Sequence, residues 1–467
     1  MAPKLPRMLL KFKVLVLLFA LALSSVNAQN TTPKKRIGNE TPQQKEKRMA
    51  WWTHDRFGMF IHWGLYALPA RHEWVKHNEK MNNEQYQKYF DTFNPDLFDP
   101  KTWAKSAKAA GMKYAVLTTK HHEGFCLFDS KYTDYKATNT GAKRDLVKEF
   151  VEAFRAEGIK VGFYYSLLDW HHPDYTIDEI HPQSPASGAD SAYDRLNKGR
   201  DMNKYRAYLR NQVRELLTNY GKIDILWLDF SFPGKHGKGR DDWGSVELLK
   251  MIRQLQPGII VDNRLDLDDY ADGADFATPE QVKPSELKSD YGGMPFETCQ
   301  TFSGSWGYYR DENTWKTIHE LLMLLITSVS KSGNLILNVG PTARGVFDYR
   351  AQRALTAIGD WMQYNNKAIY GCKQAPEGYE APIGTLLTYN QETKRLYLHL
   401  TNYPFLDQYP HGMVTLHGYK DKFKYAQLLN DDSEIKWQAV EGTDDVVLTL
   451  PALKPNIEIP VVELILK

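Results

Sequence analysis

The chain has 467 residues, of which 42% are hydrophobic and 25% charged. This balance is typical of a globular protein and excludes a disordered or fibrous chain, and the length favours one large domain plus a smaller one. The formal net charge is only +2, so the protein has no strong positive electrostatic field that would attract nucleic acid or an anionic membrane. We therefore expect an uncharged partner, no nucleic acid and no membrane insertion.

The first 28 residues have the pattern of a secretory signal peptide. Basic residues precede an apolar run at 14–23, and the small residues Val26 and Ala28 suit a signal peptidase. The apolar run is too short to cross a hydrocarbon core of about 30 Å. We predict cleavage near Ala28, export to a periplasm, a lysosome or the medium depending on the host, and a flexible polar leader at 29–48.

The cysteines do not indicate a disulfide framework. Cys126, Cys299 and Cys372 are an odd number and lie far apart in the sequence. The sequence alone leaves open whether two of them form one disulfide bond.

Short apolar runs alternate with amphipathic stretches between residues 49 and 370. We predict strands at 58–63, 114–119, 160–166, 223–230, 258–262 and 334–338. We predict helices at 145–157, 202–220, 245–256, 314–330 and 348–365. Strands that are apolar on both faces indicate a parallel sheet, and no G-x-G-x-x-G is present to support a Rossmann sheet. The fold class we predict is α/β, a (β/α)8-type (TIM-like) barrel over 49–370.

The pattern changes after residue 370. Short strand-like runs at 384–388, 395–401, 412–416, 425–429, 446–450 and 461–466 are separated by turn residues. This spacing predicts a C-terminal all-β sandwich domain over 371–467.

Polar and aromatic side chains follow the predicted barrel strands. A barrel carries its chemistry on the loops at the carboxyl ends of its strands, so these side chains should meet at one rim. Together they predict a concave pocket suited to an uncharged polyol. The residues are His62, Lys120, His121, His122, Glu123, Tyr165, Asp169, Trp170, Asp229, Asn263 and Arg264.

Asp229 ends an otherwise apolar strand. A carboxylate there costs several kcal/mol unless it is paired or faces a site. No helix follows directly, so a helix-capping role is the weaker interpretation. Bond cleavage by such a carboxylate needs a second carboxyl group that protonates the leaving oxygen. The candidates are Glu280, Glu286, Asp290 and Glu297; Glu280 ends a short β-like run, whereas Glu286 and Asp290 resemble solvated loop charges.

Five stretches resemble, in order, the signature sequences of glycoside hydrolase family 29, the α-L-fucosidases. They are Phe-Gly-Met-Phe-Ile-His-Trp-Gly at 57–64, Lys-His-His-Glu-Gly-Phe at 120–125, Trp-Leu-Asp at 227–229, Asn-Arg at 263–264 and Asn-Val-Gly-Pro at 338–341. The resemblance covers roughly residues 45–370. It implies a catalytic barrel with a C-terminal β-sandwich, no metal or organic cofactor, and a fucosylated oligosaccharide or glycoconjugate substrate. It also implies retention of configuration through a covalent fucosyl-enzyme.

The resemblance implies roles for individual residues. Asp229 matches the nucleophile, and Glu280 matches the acid/base. Tyr165 and Arg264 match residues beside the anomeric centre and the nucleophile, and Trp227 and Trp306 match apolar walls near the methyl group of fucose. The residues that match positions binding the fucose hydroxyls are His62, Glu73, Trp74, His121 and His122.

The three alternatives are a metal site, a glycosidase for another sugar and a protein that binds fucose without cleaving it. His121-His122-Glu123 could indicate a metal site, but the spacing lacks the H-E-x-x-H pattern of a zinc helix, and neutral imidazoles suit hydroxyl recognition. A retaining glycosidase for a related sugar such as galactose is the second alternative. A non-catalytic fucose-binding protein is the third. No feature of the sequence indicates an oligomeric state.

Overall fold

The computed structural model describes residues 34–403 and 412–467, so the predicted signal peptide and the start of the predicted leader lie outside the described residues. Its centre is a seven-stranded parallel sheet in the order β5-β4-β3-β2-β1-β7-β6. The strands are β1 Phe57–Ile61, β2 Tyr114–Lys120, β3 Lys160–Ser166, β4 Ile225–Asp229, β5 Ile260–Val261, β6 Glu297–Thr301 and β7 Asn334–Val339.

Most of the helices follow the strands and pack on the outer face of the sheet, whereas the first helix precedes β1 and its Trp52 joins the inner core. Side-chain caps fix several of their starts, as where Asp145 accepts a hydrogen bond from the Lys148 amide. The α-helices are Pro42–Asp55, Val75–Asn78, Asn83–Thr92, Pro100–Ala109, Leu146–Ala156, Asp190–Asn197, Met202–Asn219, Arg240–Trp243, Ser245–Leu255, Ile318–Ser330 and Tyr349–Asn365. Short 3-10 turns lie at Leu65–Ala67, Ala137–Asn139 and Asn366–Ala368.

The sheet is buried on both faces, as its apolar strands predicted. In β1, Met59 and Ile61 join the large core under the helices. Phe60 lies between them in sequence and points to the inner face, where it packs with Tyr164 and Trp227. Alternate residues of a strand point to opposite faces, so one apolar run supplies two separate cores.

The sheet is curled, and a chain segment links its two outer strands. Single parallel bridges join Asp262 to Phe276, Ala277 to Phe296, and Glu280 to Cys299. Residues 276–280 therefore lie between the β5 and β6 sides of the sheet. The architecture is mixed α/β, with a curled parallel sheet followed by antiparallel sheets.

The predicted flexible leader is wrong for residues 42–48, which belong to the helix Pro42–Asp55. Thr41 and Gln44 form a capping box at its start. Arg48 is anchored by ion pairs to Glu40 at 2.6 Å and to Asp275 at 2.7 Å. Ordered structure therefore begins earlier than the composition predicted.

The C-terminal part forms two antiparallel sheets of five and three strands, in the orders β12-β15-β10-β9-β8 and β11-β14-β13. Leu398 of the larger sheet and Val414 and Leu448 of the smaller sheet belong to one buried core. The strands are β8 Cys372–Lys373, β9 Thr385–Asn390, β10 Arg395–Leu400, β11 Met413–Leu416, β12 Phe423–Leu428, β13 Lys436–Ala439, β14 Val446–Thr449 and β15 Val461–Leu466.

The three cysteines are free and buried in the structure, so no disulfide joins them. Across residues 34–403 and 412–467, no helix is long and apolar enough to cross a membrane.

Candidate active site

A cavity of about 340 Å³ opens at the carboxyl ends of the parallel strands. Its floor is made of buried side chains, whereas its mouth carries exposed ones such as Asn78, Glu280 and Gln281. The lining residues are Phe60, His62, His72, Glu73, Trp74, Asn78, His121, His122, Tyr164, Trp227, Asp229, Phe230, Arg264, Glu280, Gln281, Cys299, Gly304 and Trp306.

Asp229 lies at the floor of the cavity with both carboxylate oxygens engaged. Tyr164 donates its hydroxyl to Oδ2 at 2.6 Å, and Arg264 donates Nη1–H to Oδ1 at 2.8 Å. The Nε2 atom of His122 lies 3.9 Å from Oδ2. The guanidinium and the phenol therefore fix the orientation of the Asp229 carboxylate at the floor, as a nucleophile requires.

Arg264 joins the two carboxylates that the sequence paired. Its Nη2 atom donates to Glu280 Oε2 at 2.7 Å, while Nη1 serves Asp229. Its Nε atom donates to Thr278 Oγ1 at 3.0 Å, so the guanidinium plane is fixed. Burial opposes the charge, but Asp229 and Glu280 raise the pKa of Arg264 above its usual value. Two carboxylates on neighbouring nitrogens of one guanidinium lie side by side.

Among the described residues, four histidines line the cavity, and His62 and His122 are anchored through Nδ1. His62 Nδ1 contacts Asn338 Oδ1 at 2.6 Å, and His122 Nδ1 contacts Ser166 Oγ at 2.7 Å. His121 Nδ1 lies 3.4 Å from Glu123. Burial, followed by the neighbouring His121, lowers the pKa values of His62 and His122 well below the usual range. The rings of His62 and His122 are therefore neutral, and such rings can both donate to and accept from hydroxyl groups.

Glu73 and Trp306 are each held in place by a hydrogen bond that involves the backbone of residues 306–307. Glu73 Oε2 accepts the backbone N–H of Gly307 at 2.8 Å. Its Oε1 atom lies 3.2 Å from His72 Nδ1, but that nitrogen accepts the Trp74 amide N–H, so Oε1 accepts no hydrogen bond from the protein. Trp306 is held by its carbonyl, which accepts from Asn338 at 2.6 Å, and its ring lies 5.1 Å from that of His62. Glu73 thus presents a free acceptor in a buried position, which a substrate hydroxyl can satisfy.

The prediction for Tyr165 is wrong, because its side chain points away from the cavity. Its hydroxyl donates to Gln212 at 2.8 Å, and Lys120 Nζ lies 4.4 Å from its ring centroid. Tyr164, one residue earlier, faces the cavity and Asp229. Adjacent residues of a strand point to opposite faces.

Lys120 and Asp169, which the sequence placed at the rim, form a buried ion pair at 3.1 Å beneath it. Neither lines the cavity. Together with Tyr165 they support the loops rather than contact the pocket.

The other candidate carboxylates do not reach the cavity. Glu286 and Asp290 are exposed on the 281–296 segment. Glu297 is fully buried inside the curled sheet, where Tyr114 donates to one oxygen and the Trp227 indole donates to the other at 3.2 Å. Burial raises the pKa of Glu297 to about 7. Of the four candidates, only Glu280 shares the cavity with Asp229.

Sequence reasoning missed several lining residues at the cavity mouth. Phe230 follows Asp229, His72 precedes Glu73, and Gln281 follows Glu280. Each adopts a positive φ, of 87°, 83° and 48° respectively, a conformation that non-glycine residues rarely adopt. Direct adjacency to the predicted carboxylates was the available sequence signal.

No group of three or more His, Cys, Asp or Glu side chains in the described part of the chain could hold a metal ion. His121 and His122 are adjacent on a loop, and their rings lie 4.0 Å apart. The expected absence of a metal or organic cofactor stays a prediction.

Comparison with known proteins agrees with this geometry. A family model described as alpha-L-fucosidase matches residues 23–367. The human tissue alpha-L-fucosidase is 28% identical over 95% of this chain and 93% of its own length. The human plasma alpha-L-fucosidase is 32% identical over 69% of each chain.

Solved structures match over nearly the whole chain. Alpha-L-fucosidase isoenzyme 1 from Paenibacillus thiaminolyticus is 44% identical, with a TM-score of 0.81 over 91% of this chain and 99% of its own. A GH29 alpha-L-fucosidase from Bacteroides thetaiotaomicron is 30% identical, with a TM-score of 0.76 over 93% of this chain and 97% of its own. That protein was trapped as a covalent intermediate with 2-fluoro-fucosyl fluoride in a glutamate-to-glutamine variant. The chain described here belongs to the α-L-fucosidase family, glycoside hydrolase family 29.

Proposed function

We propose that this protein is a retaining α-L-fucosidase that removes terminal α-L-fucosyl groups from glycans by an exo-acting mechanism. Asp229 is the nucleophile and Glu280 the acid/base in this proposal. The observation that carries it is the Arg264 bridge, which holds the two carboxylates side by side in one cavity. Retaining enzymes need about 5–5.5 Å between these groups, whereas inverting enzymes leave about 6.5–9.5 Å for a water molecule.

The chemistry follows from the environments of the two groups. Asp229 is buried and attacks C1 of fucose, while Glu280, at the open mouth, protonates the leaving oxygen. The bond from C1 to the leaving oxygen breaks as the bond from C1 to Asp229 forms. Glu280, now ionised, then takes a proton from water, and the water oxygen displaces Asp229 from C1. The mouth position of Glu280 gives it access to both the leaving group and the water.

Fucose recognition belongs to the cavity floor. The neutral rings of His62 and His122, the ring of His121 and the Oε1 atom of Glu73 offer donors and acceptors for hydroxyl groups. Trp74 lines the same floor, and Trp227 and Trp306 supply apolar surface for the C6 methyl group. This mixture suits an uncharged deoxy sugar.

Replacing Asp229 tests the proposal directly. Asp229→Gly should lower kcat/KM on an aryl α-L-fucoside by about 10⁴-fold or more, because the covalent step is lost. Added azide should restore turnover and give a fucosyl azide of inverted configuration. A variant that retains near-normal turnover would exclude Asp229 as the nucleophile.

Glu280→Ala should show a leaving-group signature. Fucosides with poor leaving groups need protonation, so their cleavage should fall by roughly 10²–10⁴-fold, whereas activated aryl fucosides should lose far less in the first step. An equal loss on both classes, measured as the rate of aglycone release, would argue against the acid role.

We also propose that residues 49–370 form a closed (β/α)8-type catalytic barrel and that residues 371–467 form a β-sandwich domain. The single bridges made by residues 276–280 support this, because this segment lies where an eighth strand would close the sheet. The shared core of the two antiparallel sheets supports the sandwich.

Export of the mature protein is a proposal from the sequence alone. The basic start, the apolar run and the small residues before position 28 support removal of residues 1–28. N-terminal sequencing of the protein from its host should begin at Gln29, and an intact Met1 would contradict the proposal.

A further inference from the structure

We propose that Phe230 forms the platform of a leaving-sugar subsite at the cavity mouth, with His72 and Gln281 as its polar neighbours. The ligand class is a sugar ring attached through the scissile oxygen, with one apolar face and several hydroxyl groups. This proposal rests on the proposed function, because it assigns the space beyond the bond that Asp229 and Glu280 cleave.

The mouth differs from the floor in exposure and composition. The floor residues Glu73, His121 and Asp229 are buried, whereas Gln281 is exposed and Phe230 and His72 are half-buried. A fucosyl group on the floor leaves its leaving oxygen near Glu280, which opens to the same mouth. The leaving group must therefore leave the floor past these three side chains.

The Phe230 ring packs against three neighbouring aromatic rings. Its centroid lies 5.4 Å from the ring centroid of His122, 5.7 Å from that of Trp74 and 5.5 Å from that of Phe232. The ring nevertheless lines the cavity and stays half-buried. A fixed apolar ring at a polar mouth offers the surface on which the C–H face of a sugar packs.

Backbone strain sets all three mouth residues apart. Phe230, His72 and Gln281 have φ values of 87°, 83° and 48°, and each is directly bonded to one of the three carboxylate residues of the cavity. A bulky residue keeps such a conformation only where the surrounding structure imposes it, and such residues cluster at ligand-binding sites. Each of the three side chains thus lines the mouth beside a carboxylate residue of the same cavity.

The test compares leaving groups with and without a ring. Phe230→Gly removes the ring, and glycine adopts a positive φ without strain, so the fold is retained. We expect kcat/KM for a fucosyl disaccharide and for 4-nitrophenyl α-L-fucoside to fall roughly tenfold. Fucosyl fluoride has no ring in its leaving group, so its kcat/KM should stay near that of the parent. Phe230→Tyr, which keeps a flat ring, should preserve all three rates.

Phe232→Leu is the matched control. Phe232 does not line the cavity, and leucine keeps an apolar contact with Phe230, so this change should not separate the three substrates. If Phe230→Gly lowers kcat/KM for fucosyl fluoride as much as for the other two substrates, the ring belongs to the fucose subsite and the proposal is overturned. An unchanged kcat/KM for all three substrates would also overturn it. If the parent protein cleaves none of the three fucosides, the proposed function itself fails, and that result is distinct.

Discussion

Tyr164 and Tyr165 are neighbours in β3 with opposite environments. The Tyr164 hydroxyl donates to Asp229, whereas the Tyr165 hydroxyl donates to Gln212 on the helix side of the sheet. Both side chains are buried, so hydrophobicity alone could not tell which one faced the cavity. Only the phase of the strand in the sheet decides this, and it comes from pairing with its neighbours.

The pair offers a prediction with a built-in control. Tyr164→Phe removes the hydroxyl that orients the Asp229 carboxylate, and the loss of this orientation should lower kcat/KM roughly 10–100-fold. Tyr165→Phe makes the same chemical change on the helix side of the sheet and should leave kcat/KM nearly unchanged. Steady-state kinetics on an aryl fucoside measure both, and equal losses would contradict the assignment of the faces.

At the scale of elements, the sequence predicted the strands whose side chains are mainly apolar. β3 was predicted at its observed bounds and β2 to within one residue. β6 was missed because four of its five residues are polar: Glu297, Thr298, Gln300 and Thr301. Their partners are distant in sequence, as where Thr298 contacts Ser328 at 2.7 Å. Tertiary hydrogen bonds that satisfy a buried polar strand leave no local pattern.

The helix Pro42–Asp55 was missed for a related reason. Its surface is polar, and its buried residues are Met49, Trp52 and Asp55 near its end. Trp52 belongs to the inner core of the curled sheet. The capping box of Thr41 and Gln44 was present in the sequence, but a polar composition outweighed it.

Glu297 of β6 should make stability depend on pH. Burial raises its pKa to about 7 from a usual value of 4.5, so the folded state favours the protonated acid. The stabilisation is complete below about pH 4.5 and is lost as the pH rises to about 7. The loss is on the order of 3 kcal/mol. Glu297→Gln should therefore be increasingly more stable than the parent over this window.

Thermal unfolding of the parent and of Glu297→Gln between pH 4 and 8 checks this prediction. The difference in unfolding free energy should be small at pH 4 and level off above pH 7. A difference that does not change with pH would mean that Glu297 does not titrate in this range. The matched control is Glu286→Gln, because Glu286 is exposed on the 281–296 segment.

At the scale of the whole molecule, the C-terminal sheets share a core with the helices of the N-terminal part. Cys372, Tyr397 and Ile459 belong to the same buried cluster as the helices around the parallel sheet. Trp361 donates its indole N–H to the Ile459 carbonyl at 2.9 Å, and Arg56 donates to the Cys372 carbonyl at 2.8 Å. Such a continuous apolar contact supports a bracing role for residues 371–467.

A chain that ends at residue 370 should therefore not fold by itself. Removal of residues 371–467 would expose Trp361 and the neighbouring helix surfaces, and exposed apolar area of this kind drives aggregation. We expect little soluble protein and no fucosidase activity in the soluble fraction, with the full chain as the control. A soluble truncated protein with the parental kcat/KM would contradict the bracing role.

The sequence predicted which residues line the site better than it predicted how they are arranged. Ordered motifs on separate strands located most lining residues, because parallel strands bring their carboxyl ends to one edge. The bridge from Arg264 to both carboxylates could not be read from spacing, because it depends on how residues 265–280 return to the sheet. Long-range geometry of this kind is set by packing rather than by local pattern.

The two proposed catalytic groups are attached to the fold in unequal ways. Asp229 ends a strand paired along its length with β3, whereas Glu280 lies on a segment joined by single bridges. Insertions or replacements within 265–296 can therefore shift Glu280 and Gln281 without moving the nucleophile. Divergence among relatives should accumulate on that half of the site, so new linkage preferences can evolve while recognition of fucose is inherited unchanged.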